Sequence, residues 1–140
     1  MNYAHTITSA LPYEDAVVKV RQVLANQGFG VLTEIDVRAT FETKLGSESA
    51  NTLGDYLILG ACNPVLAEQA LTADPDMGLL LPCNVVIRRA PSATTTTVQA
   101  INPQTMVQLS NSAGVQNVAD QADTHLLAAL SSLEGLSPNK

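Results

Sequence analysis

The chain has no tryptophan, and its only other large aromatic residues are three Tyr and two Phe. Its core must therefore be built from Val, Leu, Ile and Ala, and a cofactor held by aromatic stacking would find few partners. Basic residues are scarce too: seven Lys and Arg face thirteen Asp and Glu, for a formal charge of −6. A polyphosphate backbone is bound by clustered cations that displace counterions, so no nucleic-acid partner is expected. The one adjacent basic pair, Arg88-Arg89, lies beside Pro91 and Ser92 and reads as the solvated end of a strand at a hairpin turn. No apolar run approaches the roughly 20 residues that cross a bilayer, and "MNYAHTITSA" lacks the basic start and apolar centre of a secretory signal. The expectation is a cytoplasmic protein with no membrane partner. Only two cysteines occur, Cys62 and Cys83, and in that setting they are expected as reduced thiols.

Several chemical signatures are missing as well. No glycine-rich phosphate loop follows a strand, "GFG" at 28–30 being a helix stop, and no Ser-His-Asp or Cys-His pattern is recognisable. There is no CxxC, so a zinc site would have to draw His5 from the first strand and His125 from the last helix to join the two cysteines. His125 reads better as a boundary residue of its helix. No metal is expected, and no cofactor is indicated.

What remains is a regular alternation of apolar patterns in 140 residues, enough for one core and one domain. "MNYAHTITSA" alternates as an opening strand. "LPYEDAVVKVRQVLANQG" has Pro12 at a first helical position, Glu14 and Asp15 in the first turn, and Gly28 as the stop. "FGVLTEI" reads as a largely buried strand, with Val31, Thr33 and Ile35 on one face. A short helix, "DVRATFETKLG", is capped by Asp36, carries Lys44 in its last turn and stops at Gly46. The polar loop "SESANTLG" follows it. "DYLILGAC" is apolar on both faces, as befits a strand inside a covered sheet.

Asn63 and Pro64 then open a helix, "NPVLAEQAL", with Val65, Leu66, Ala67, Ala70 and Leu71 directed inward. After the turn cluster "ADPDMG" comes "LLLPCNVVIRR", a strand whose Pro82 needs a sheet edge, a bulge or the first paired position. "APSA" is hairpin chemistry, "TTTTVQAI" a β-branched strand, and "NPQTM" its end. Val115, Val118, Ala119, Ala122, Leu126, Ala129, Leu130 and Leu133 mark a long helix that stops at Gly135, and the tail 135–140 is expected to be flexible. This order predicts an α+β fold, with the helices around Ala16–Leu24 and Val118–Leu133 side by side on one sheet face and Ile7, Ile35, Ile58 and Val86 beneath them. The third and fourth strands are apolar on both faces while only a few helices are available to cover them, which predicts a homodimer.

The motifs "GFGVLTEIDV", "KLG", "LGACNP" and "GLLLPCNVVI", in this order over residues 12–134, resemble the domain-of-unknown-function family three-zero-two. The resemblance implies a TATA-binding-protein-like topology: a curved, mainly antiparallel sheet with two long helices on one face. It implies no DNA binding, because the basic surface is missing. The family pattern falls on Glu34, Asp36, Lys44, Cys62, Asn63, Pro64, Pro82, Cys83 and Asn84, while "GSESANTLGDY" is more polar than the proline-containing, apolar connection of the family. An antiparallel sheet would also bring the strand ending at Cys62 beside the one beginning at Cys83.

Cys62 precedes a helix N-terminus, where partial positive charge favours a thiolate, and Gly60 leaves room near it. Free cysteines are also common packing residues, and both readings stand. Glu34 is an exposed edge acid, an ion-pair partner of a base such as Lys44 or Arg38, or a general acid or ligand anchor. Asn84, unlike Asn63, has no capping role. The ligand-binding candidates are therefore Glu34, Lys44, Cys62, Asn63, Cys83 and Asn84, and Cys62 and Cys83 are the catalytic candidates. The favoured function is a homodimeric small-ligand binding or sensing module with its site at the "ACNP" and "PCNV" turns. Its alternatives are a thiol enzyme or redox protein in which Cys83 resolves Cys62, and a structural interaction domain.

Overall fold

The computed structural model describes residues 2–134 and 136. The expected stop at Gly135 and most of the tail lie outside the described residues. Five strands, β1 (Ala4–Ser9), β2 (Gly30–Asp36), β3 (Asp55–Cys62), β4 (Cys83–Arg89) and β5 (Thr96–Ile101), form one sheet in the order β1-β5-β4-β3-β2, every pair antiparallel. Among the described residues six α-helices accompany it, α1 (Tyr13–Asn26), α2 (Val37–Leu45), α3 (Ser47–Leu53), α4 (Pro64–Ala73), α5 (Gln104–Leu109) and α6 (Gly114–Ser131), with a short 3-10 helix at Pro75–Leu79.

Local chemistry accounts for most of the boundaries. Pro12 takes the capping position of α1 rather than its first turn, and Glu14 and Asp15 face the helix's positive end. Gly28, at φ 85°, reverses the chain so that the Phe29 amide donates to the Leu24 carbonyl at 2.9 Å and the Phe29 side chain turns into the core. Asp36 caps α2 by accepting from the Ala39 amide at 2.9 Å. Two helices go beyond the sequence reading. The polar loop "SESANTLG" is in fact α3, which buries Ala50 and is joined to α2 by the Arg38–Asn51 hydrogen bond. "NPQTM" opens α5, which buries Met106 against α4 and α6. Both are too short to show a hydrophobic period, and tertiary packing decides them.

The two long helices do share one face of the sheet. Ala16, Val20, Val23 and Leu24 of α1 and Leu126, Ala129 and Leu130 of α6 form one buried cluster with Leu57, Leu59, Ala61, Val85, Ile87, Val98 and Ala100. The residues expected beneath them are mostly on the wrong side. Ile35, Ile58 and Val86 align with one another across the ladder on the second face, and Ile7 alone packs on the helix side. Because β3 and β4 are apolar at both parities, a shift of one residue in facing leaves the pattern equally apolar, and only the helices break the tie.

The second face is open. None of its residues belongs to a buried cluster, and only Ile101 packs against one, while Thr6, Thr8 and Asn84 are exposed and Ile35 keeps 50% of its surface. β2 is an edge strand, not a largely buried one, and a register shift between Val31 and Thr33 turns Leu32 outward. A second, smaller cluster joins Leu66, Ala70, Met77, Met106, Val115, Val118 and Ala122. Val65 and Leu71 of α4, expected inside, are exposed, because α4 presents only one stripe to α6.

Candidate functional site

The seam between the two buried clusters is not filled. A cavity of about 310 Å³ opens there, bounded by Phe29, Ala61 and Cys83 on the sheet side and by Leu66, Met106 and Val118 on the helix side. Its walls are set by three local devices. Asn63 caps α4, its Oδ1 accepting from the amides of Val65 at 3.1 Å and Leu66 at 3.2 Å, and Pro64 follows at the first helical position. Gly28 lets that turn approach, since a Cβ there would lie 3.1 Å from Asn63 Nδ2. Pro82 stands just before the first paired residue, Cys83, and shares the space over Gly60 with Thr33: a Cβ on Gly60 would meet Thr33 Oγ1 and, at 2.8 Å, Pro82 Cγ. The room that Gly60 leaves is thus taken by those two side chains.

No charged side chain lines this cavity among the described residues. Its polar groups are Thr33, the Asn63 amide, whose Oδ1 is taken by the α4 cap, and the two thiols. Both cysteines are free, Cys62 half-buried and Cys83 buried at 6% exposure. The cross-strand partner of Cys83 is Ala61, not Cys62, so the ladder does not place the thiols face to face. Burial pushes the Cys83 thiol up to about 11, and the nearby Cys62 adds to the rise.

That shift predicts an alkaline transition. The folded chain keeps a proton on Cys83 that the unfolded chain releases near its ordinary value of 9.0, so the associated stability is complete below pH 9 and is lost as pH rises to about 11. Two pH units correspond to about 2–3 kcal/mol. Urea unfolding followed from pH 8 to 11 should show a fall of that order, and Cys83→Ala should flatten it. Tyr13, pushed from 10.0 up to about 12 by burial with Asp36 and Asp55 adding, lowers stability in the same way from pH 10 upward, but it does so in both chains, so the difference between them isolates the thiol.

Of the six residues proposed as ligand contacts, the fold brings Cys62, Asn63 and Cys83 together around the cavity. The other three lie elsewhere. Glu34 sits on the edge strand, where its Oε2 accepts from Arg21 Nη2 at 2.6 Å, so its partner is neither Lys44 nor Arg38. Lys44 is exposed in the last turn of α2, and Asn84 is exposed on the second face opposite Gly60. The helix-side lining from α4, α5 and α6 was hidden in stripes that read as ordinary core, and α5 gave no signal at all. His5 Nε2 stands 2.6 Å from Asp123 Oδ1, and His125 Nδ1 3.1 Å from Gln27 Oε1, so neither ring joins the cysteines. No group of three or more His, Cys, Asp or Glu suited to a metal occurs among the described residues. No described helix is long and apolar enough to cross a membrane.

Over residues 5–133 the sequence matches the family described as "Domain of unknown function DUF302". The chain belongs to DUF302. The crystal structure of an uncharacterized conserved DUF302 protein from Bacillus stearothermophilus is similar at a TM-score of 0.84 and 22% identity, covering 96% of this chain and 100% of that one. That likeness is one of fold. No curated protein matches the chain. In this chain the antiparallel pairing of β3 with β4 places the "ACNP" and "PCNV" turns together.

Proposed function

We propose that this DUF302 domain is a cytoplasmic binding or sensing module for a small, uncharged, apolar molecule held in the cavity beside Cys62 and Cys83. The observation that carries the reading is the cavity itself: about 310 Å³ of nearly wholly apolar space at the seam of two otherwise packed clusters. That volume lies at the lower end of small-molecule sites. An anion is disfavoured there, because the α4 amides that would greet it are already capped by Asn63. Titration with the uncharged dye N-phenyl-1-naphthylamine tests the reading. Saturable binding with one site per chain is expected, weakened about tenfold or more in Ala67→Phe, whose ring would enter the cavity from a half-buried position. Binding that is absent, or indifferent to Ala67→Phe, would defeat it.

A homodimer belongs to the same reading. Its support is the apolar part of the open sheet face, where Ile35, Ile58 and Val86 adjoin across three strands. Light scattering at micromolar concentration should give twice the chain mass, and Ile58→Lys should halve it. A monomeric mass for the unaltered chain removes this part.

A second reading is favoured by one observation, that both thiols line the same cavity. In thiol–disulfide exchange Cys62 sulfur would attack a substrate disulfide and expel one thiol. Cys83 would then attack the mixed disulfide, closing a Cys62–Cys83 bond and releasing the second thiol. With a pKa of about 11, Cys83 is a thiolate in only about one molecule in ten thousand at pH 7, which ranks this reading second. Iodoacetamide should modify Cys62 in the folded protein and leave Cys83 untouched until unfolding. A Cys62 equally inert would end the thiol reading.

A further inference from the structure

We propose that a second, polar cleft at the opposite end of β3 binds a small singly charged oxyanion, of which a carboxylate is the best fit. The cleft holds about 310 Å³ and is walled by Arg38 of α2, Asn51 of α3, Gly54 and Asp55 at the start of β3, and Arg89 and Pro91 at the end of β4. It is separate from the apolar cavity: the seven residue steps from Asp55 to Cys62 span about 23 Å.

Charge at the cleft does not cancel. Arg38 is committed, its Nη1 donating to Asp55 Oδ1 at 2.9 Å and its Nη2 to Asn51 Oδ1 at 3.1 Å. Arg89 is half-buried and has no carboxylate partner among the described residues. Its Nη1 reaches the Leu11 carbonyl at 3.4 Å and Thr96 Oγ1 at 3.3 Å, both long, which leaves Nε and Nη2 without an assigned acceptor. Two guanidinium groups and one carboxylate sum to a single positive charge, in a chain whose net charge is −6. A planar acid group matches the guanidinium fork. Asp55 sets the charge limit, since a dianion entering beside it would meet repulsion that a monoanion largely escapes.

The walls are built to hold this shape. Gly54 has φ 81°, and a Cβ on it would lie 2.6 Å from the Arg89 carbonyl oxygen and 2.9 Å from Pro91 Cδ, so the helix end, the strand end and the hairpin close on one another without slack. The site also gives Arg89 a role that reading it as a solvated strand end did not contain.

Nuclear magnetic resonance of the full chain at constant ionic strength tests the assignment, following the Arg89 and Arg38 Nε–Hε signals and the Gly54 amide. Sodium acetate, replacing sodium chloride, should shift the Arg89 signal saturably. Shifts that are linear, or absent from Arg89, overturn the proposal. Arg89→Gln should weaken acetate binding about tenfold as read at Gly54. The variant is expected to fold, because Thr96 Oγ1 still donates to the Leu11 carbonyl at 2.8 Å. An unchanged affinity in Arg89→Gln overturns the site. At pH 8, where phosphate is mainly a dianion, inorganic phosphate should bind more weakly than acetate, and Asp55→Asn should tighten acetate. Stronger phosphate binding, or weaker acetate binding in Asp55→Asn, overturns the single-charge assignment.

Discussion

Gly54→Ala is expected to cost about 3–5 kcal/mol of folding stability and to lower Tm by roughly 10 °C or more. Two independent penalties add. Gly54 adopts φ 81° and ψ −159°, a region that is essentially closed to residues with a side chain. The new methyl would also sit 2.6 Å from the Arg89 carbonyl oxygen, a backbone atom fixed at the end of β4 where Arg89 faces Asp55 across the ladder. Neither can relax without parting the strand ends. At Gly46, which also has a positive φ (100°), a Cβ would meet nothing within 4 Å, so Gly46→Ala isolates the conformational term and should cost clearly less. Thermal melts of the two variants side by side decide the point, and equal losses would show that the close approach at Gly54 contributes nothing.

Leu59→Ala should lose about 3–5 kcal/mol, while the neighbouring Ile58→Ala should lose about 1 kcal/mol in the monomer. Leu59 has no exposed surface and lies in the cluster shared by α1 and α6, so its truncation leaves a void that fixed helices cannot collapse into. Ile58 points to the open face, where truncation removes little packing. Urea unfolding at low protein concentration, compared through midpoint and slope, checks both values. A larger loss at Ile58 than at Leu59 would mean that the two faces of β3 are exchanged.

A good share of the site was legible before the fold was known, because its turns rest on local chemistry. Asn63 and Pro64 announce the start of α4, Asp36 announces α2, and Pro82 marks where the β4 ladder begins. These are one-residue preferences that act whatever lies around them. The apolar lining was not legible as a site. Leu66, Ala70, Val118 and Ala122 look the same in sequence whether their helices meet tightly or leave a seam, and Met106 lies on a helix too short to show a period.

By itself, the sequence determined the succession of strands and long helices, their caps, and the resemblance to a family with an antiparallel sheet. Each depends on contacts a few residues apart or on motifs carried whole. Which face of β3 and β4 the helices cover, the pairing of Glu34 with Arg21, the convergence of Arg38 with Arg89, and the unfilled seam beside the cysteines were decided only in three dimensions. The physical reason is the same in each case. Strands apolar at both parities, and charged side chains with several partners in reach, leave near-equal local choices, and long-range packing selects among them.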